Sequence, residues 1–156
     1  MLLDKCGIRK IIYEIAEVIG DYVFGIIWYG SSLRNPETAN DIDILIILRV
    51  PAEEVEFSIK EKLKKYLNKN YRDIPFDISL KTYYWFKGIK HPIIIGMVAE
   101  GYEIIKDTDG KLAKILSAIE KILREKKVKR TKLKGFLRID GTEHWTYVYE
   151  NKKGSD

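Results

Sequence analysis

The sequence predicts a mixed β-sheet flanked by helices, an α/β (α+β) domain, on three observations. Apolar runs too short for helices, at 22–29, 42–50 and 75–82, alternate with segments of helical periodicity. The links between them are brief, as packed layers require. The 156 residues are 46% hydrophobic and 33% charged, enough apolar material for one buried core and too much for a disordered chain.

Each element follows from its own pattern. Ile8, Ile11, Ile12, Ile15, Val18 and Ile19 recur at helical spacing between charged residues, and Gly20 marks the stop. Residues 22–29 form a nearly unbroken run of aromatic and branched residues, a buried strand closed by Gly30-Ser31-Ser32. A polar loop with Pro36 leads to a second buried strand at 42–50, which Pro51 breaks. Val55, Ile59, Leu63, Tyr66 and Leu67 define a second amphipathic helix over 53–67, supported by Glu56–Lys60 and Glu61–Lys65 at i,i+4. Residues 75–82 alternate in character and read as a third strand. His91-Pro92 opens a short apolar helix that Gly101 ends, and 102–106 is a further short strand. Leu112, Ile115, Leu116, Ile119, Ile122 and Leu123 mark the last helix. A hairpin is expected around Asp140-Gly141, and 151–156 should be disordered. The domain is therefore placed at 1–125, with a basic extension at 126–156.

Composition narrows the function classes. The net charge of +5 suits an anionic partner without demanding one. Most of that excess lies in the basic run 126–134. Cys6 is the only cysteine, which excludes an internal disulfide and a multi-cysteine zinc site. No apolar run nears the roughly 18 residues of a membrane span, and the first residues lack an apolar signal core. The expectation is a soluble, cytoplasmic protein with no membrane role.

The chemistry concentrates in Trp28-Tyr29-Gly30-Ser31-Ser32, then a loop, then Asn40-Asp41-Ile42-Asp43-Ile44. Successive strand side chains point to opposite faces, so Asp41 and Asp43 share one face while Ile42 and Ile44 enter the core on the other. Carboxylates roughly 7 Å apart on a strand suit hard cations carrying a polyphosphate, and Mg²⁺ prefers such oxygen ligands. Without a cation, like charges so close raise each other's pKa. Gly30 lets a phosphate approach the backbone, and Ser31 adds a hydroxyl. Phe76-Asp77-Ile78-Ser79-Leu80-Lys81 puts Asp77, Ser79 and Lys81 on one face of the third strand. Asp73 precedes the apolar run and reads as a loop residue.

These residues resemble the DNA polymerase β-like nucleotidyltransferase superfamily, most of all its minimal MNT-type members. Gly30-Ser31 matches the family's Gly-Ser, and Asp41-x-Asp43 matches its paired acids after a nine-residue spacer. Asp77 matches a third acid on a later strand, and Arg34 stands where these proteins usually carry an arginine. Glu100-Gly101-Tyr102-Glu103 resembles the Glu-Gly and short strand that follow. Asn35 and Asn40 depart from the usual Gly and Ser. The likeness runs over 8–106 and does not extend to the C-terminal third.

The resemblance implies two Mg²⁺ ions on Asp41, Asp43 and Asp77, with the third acid orienting or deprotonating an acceptor hydroxyl. Gly30 and Ser31 would cradle the phosphates of ATP or another nucleoside triphosphate, with Arg34 and Lys81 as candidate contacts. The implied reaction transfers a nucleoside monophosphate, AMP from ATP, to that hydroxyl. The family also implies a HEPN-type partner protein, with this chain as the antitoxin, or self-association. Two alternatives stand beside it. One is a binding or antitoxin module acting by contact alone. The other is a small nucleic-acid binder using the run 126–134 and the aromatics Trp145, Tyr147 and Tyr149. His91 and His144 read as ordinary structural or surface residues, and Ser32 has no assigned role.

Overall fold

The computed structural model describes residues 3–49, 53–83, 85, 92–125, 133–137 and 143–147. Helix α1 (Lys5–Ile19) starts where the Asp4 carboxylate accepts the Gly7 N–H at 2.7 Å, satisfying a donor the helix cannot. It buries Ile8, Ile11, Ile12, Ile15 and Ile19 along one stripe. Strand β1 (Val23–Tyr29) ends in the single turn α2 (Ser31–Arg34). Strand β2 (Ile42–Leu48) then leads through α3 (Glu53–Asn70) to β3 (Phe76–Thr82). Helix α4 (Pro92–Glu100), β4 (Tyr102–Asp107) and α5 (Lys111–Glu125) complete the unit.

The four strands lie in the order β3-β2-β1-β4. β1 is antiparallel to both β2 and β4, whereas β2 and β3 run parallel and in register, Ile42 beside Phe76 through Leu48 beside Thr82. The expected mixed sheet is thus observed. A parallel pair needs a crossover, and α3 is that connection.

Helices cover both faces, and the two-residue period of the strands sorts the core accordingly. Ile42, Ile44, Ile46 and Leu48 join Ile26 and Trp28 against α1 and α3. Leu45, Ile47 and Ile27 pack with Ile94, Met97, Leu112 and Leu116 of α4 and α5. Burying each such side chain stabilises the fold by about 1.5–3 kcal/mol relative to exposure. α5 comes so close to β1 that a Cβ on Gly25 would collide with the Leu112 side chain. Among the described residues no helix is long and apolar enough to cross a membrane.

Strands β5 (Leu133–Leu137) and β6 (Glu143–Tyr147) pair antiparallel as a separate ribbon, Leu133 opposite Tyr147 and Leu137 opposite Glu143. β5 begins at Leu133, inside the run 126–134 read as basic, and Lys134 is its one lysine. Residues 126–132, the turn at Asp140-Gly141, His91, Tyr149 and 151–156 lie outside the described residues.

Candidate active site

The parallel register of β2 and β3 places the acidic residues. Asp43 stands beside Tyr29 of β1 on one side and Asp77 of β3 on the other. Asp41 immediately precedes β2. Each of the three acids offers a carboxylate oxygen within 4.8 Å of those of the other two. Asp41 and Asp43 are partly buried and Asp77 is exposed. Asp73 lies exposed in the loop before β3, outside this cluster.

The electrostatics follow from that crowding. Burial, then the charges of Asp41 and Asp77, push the Asp43 carboxyl up to about 7, while the Arg34 guanidinium acts weakly in the opposite sense. Tyr29, on the same face, is pushed up to about 12 by burial and by Asp43 and Asp77, with a Ser79 hydrogen bond working against the shift. A divalent cation bound here would supply the positive charge that these three oxygens lack. The donor set is all-oxygen and anionic, which fits Mg²⁺.

Gly30 joins the acids to the turn. Its φ of +85° suits glycine, and a Cβ there would run into the Asp43 carboxylate. Ser31 opens α2, whose one turn is closed by the Asn35 N–H to Ser31 O bond of 2.7 Å. Ser32 is fully buried, and its hydroxyl accepts the Trp28 indole N–H at 2.8 Å. Arg34 reaches Glu100 at the end of α4, at 3.3 Å. Lys81 shares the face of Asp77 but lies four residues along β3, roughly 13 Å away at strand spacing. Its ammonium sits over Trp85, 5.1 Å from the ring centroid.

The structure therefore brings together Asp41, Asp43, Asp77 and Gly30, sets Ser31 beside them, ties Arg34 to Glu100, and leaves Lys81 apart. Sequence reasoning gave no role to Tyr29, to the Arg34–Glu100 pair or to the Trp28–Ser32 pair. Only the last carried a local signal, a donor and an acceptor four residues apart across a tight turn.

Behind the turn, Arg9 of α1 binds Glu103 of β4 through two N–H donors, at 2.6 and 2.8 Å, and lies 5.8 Å from the Trp28 ring centroid. Glu103 is the second acid of the Glu-Gly-Tyr-Glu segment, and its charge is engaged by Arg9 rather than by the three-carboxylate cluster.

No family model and no curated protein matches the chain. Among solved structures, it is similar to chains from several toxin–antitoxin complexes. One is a mutant MntA–HpeT pair, 15% identical over 76% of this chain and 92% of that one, with a TM-score of 0.45. Another is a tri-AMPylated Shewanella oneidensis HEPN toxin in complex with MNT antitoxin, at 15% identity, 76% and 89% coverage and a TM-score of 0.42. A third is a toxin–antitoxin with AMP-PNP, at 16% identity, 76% and 92% coverage and a TM-score of 0.44. These likenesses are distant, and the functional reading rests on the geometry of the site.

Proposed function

We propose that this chain is a Mg²⁺-dependent nucleotidyltransferase that moves a nucleoside monophosphate, AMP from ATP, onto a hydroxyl of a partner protein. The observation that carries the reading is the meeting of Asp41, Asp43 and Asp77 within 4.8 Å at neighbouring strand ends, beside the Gly30 turn. Three acids there repel one another unless cations share them. Their arrangement suits ions that also ligate a triphosphate.

Asp41 and Asp43 would hold the ions with the triphosphate, and Asp77 would complete the set. Bound there, divalent ions supply charge stabilisation for the attacking and leaving oxygens of an in-line displacement. The remaining work belongs to the chain. Asp77, exposed on the edge strand, would orient the acceptor hydroxyl and take its proton. Gly30 leaves the backbone open to the phosphates, and Ser31 offers a donor hydroxyl. Arg34, now on Glu100, lies near enough to Asp43 to feel its charge and is a candidate phosphate contact. The role of a HEPN-type acceptor comes from the resemblance of the motifs.

The test is incubation of the full chain with α-labelled ATP, Mg²⁺ and a HEPN-type partner, against Asp41→Ala/Asp43→Ala. Wild type should transfer label, and the variant should lose at least about 10²-fold in rate, the scale of losing one electrostatic group in a preorganised site. Equal neutralisation of the partner by both proteins, without label, would instead establish action by contact.

A further inference from the structure

Strand β3 stands at the end of the sheet, and among the described residues no strand pairs with its outer side. The Ile42 N–H donates to Pro75 O at 3.0 Å. By strand alternation the backbone groups of Asp77, Ser79 and Lys81 then face β2, and those of Phe76, Ile78, Leu80 and Thr82 face outward. An unpaired edge of this kind is a template for another strand.

The two sides of that edge differ in chemistry. Towards α3 there is a groove of about 220 Å³ with Leu63, Leu67, Phe76 and Ile78 in its wall and the exposed Lys60 and Lys64 at its rim. The exposed Lys60 makes only a loose pair with the half-buried Glu56, at 3.6 Å, a contact of small energy. On the opposite face the same strand carries Asp77, part of the three-carboxylate cluster.

We propose that the free edge of β3 receives an extended segment of the acceptor protein as a fifth strand. Every second residue of that segment, apolar or acidic, meets the Lys60–Lys64 groove, and an intervening residue presents its hydroxyl beside Asp77. The proposal rests on the transferase reading and names the form in which the acceptor arrives. Directly opposed residues on paired strands have Cβ atoms about 4.5–5.5 Å apart, within reach for a serine, threonine or tyrosine hydroxyl to meet the Asp77 carboxylate. The hydroxyl oxygen bonds to the α-phosphorus, the bond from that phosphorus to the pyrophosphate oxygen breaks, and the hydroxyl proton passes to Asp77.

Charge selects the occupant. From residue 60 onward α3 carries Lys60, Lys62, Lys64, Lys65 and Lys69 against Glu61 alone. A second copy of this chain would bring its own Lys60 and Lys64 to the same groove, lysine against lysine. An acidic segment meets no such repulsion.

The test uses the full chain and short synthetic peptides. In these, alternate positions carry valine and glutamate, and the intervening ones carry threonine around a central tyrosine. Amide exchange at Phe76, Ile78, Leu80 and Thr82 should slow at least about tenfold on binding, as new backbone bonds protect them. Lys60→Glu/Lys64→Glu, both at exposed positions, should weaken binding by about tenfold or more, and a peptide with lysine for glutamate should restore it. The tyrosine should take label from α-labelled ATP faster than in a scrambled peptide. Unslowed exchange, or equal affinity in the charge-reversed variant, overturns the proposal. Concentration-dependent protection without peptide also overturns it, by showing that a second copy fills the edge. Docking without label transfer, while ATP still binds in a separate titration, overturns the acceptor role. Failure of ATP to bind sinks the transferase reading instead, and peptide docking is still scored by exchange.

Discussion

Asp43 stands between two other carboxylates with part of its surface buried, and its carboxyl rises from 3.8 to about 7. The folded chain therefore holds this proton more tightly than the unfolded one. Its favourable contribution is full below about pH 4 and is lost as pH rises through about 7. In metal-free buffer, Asp43→Asn should raise Tm at pH 8 and match the wild type near pH 4. Solvent screening of the partly exposed group limits the gain to about 1–2 kcal/mol, or roughly 3–6 °C for a chain of this size. Circular dichroism melts at the two pH values check it, and an equal shift at both refutes it. Asp41 and Asp43 could be read as a pair from sequence because the strand period puts them on one face. Tyr29 could not, because its place beside Asp43 depends on the register between β1 and β2.

At the scale of elements, the turn after β1 is held from inside by Trp28 and Ser32. Ser32 is the buried polar residue among the described ones, and its hydroxyl is the partner of a fully buried indole N–H. Ser32→Ala should destabilise the fold by about 1–3 kcal/mol, because the indole donor loses its partner away from water. Urea unfolding measures this. Adding Trp28→Phe should cost less than the sum of the single changes, since the orphaned donor disappears with the indole. Additive costs would show that the bond contributes nothing of its own. Helices α1 and α5 were legible from their isoleucine and leucine spacing, and β2 from the apolar run that follows Asp43. The start of β5 was not, because Leu133 and Lys134 close a run of basic residues and read as part of it.

For the whole molecule, strand order escaped the sequence. Local pattern reveals strands but not which of them become neighbours, and β3-β2-β1-β4 is set by how two helical layers close over the sheet. Asp77 could nevertheless be named as a candidate, because the resemblance calls for a third acid on a later apolar strand, and its carboxylate lies within 4.8 Å of the other two. If β2 and β3 supply one shared ion site, added Mg²⁺ or Mn²⁺ should stabilise the wild type. At tenfold excess over Kd the gain is about 1.4 kcal/mol, near 3–5 °C. Asp77→Asn should reduce that shift by more than half, although Asp77 is exposed. Differential scanning fluorimetry against an EDTA baseline reads it, and an undiminished shift in the variant would show that β3 takes no part.

The parallel pairing of β2 with β3 also has a kinetic corollary. Their carboxylates lie far apart along the chain and become neighbours only when the crossover through α3 has closed over the sheet. Local hairpin formation between β1 and β2 can precede that long-range closure. Ion capture should therefore arrive as a late phase in refolding, a natural clock for the moment the last strand docks.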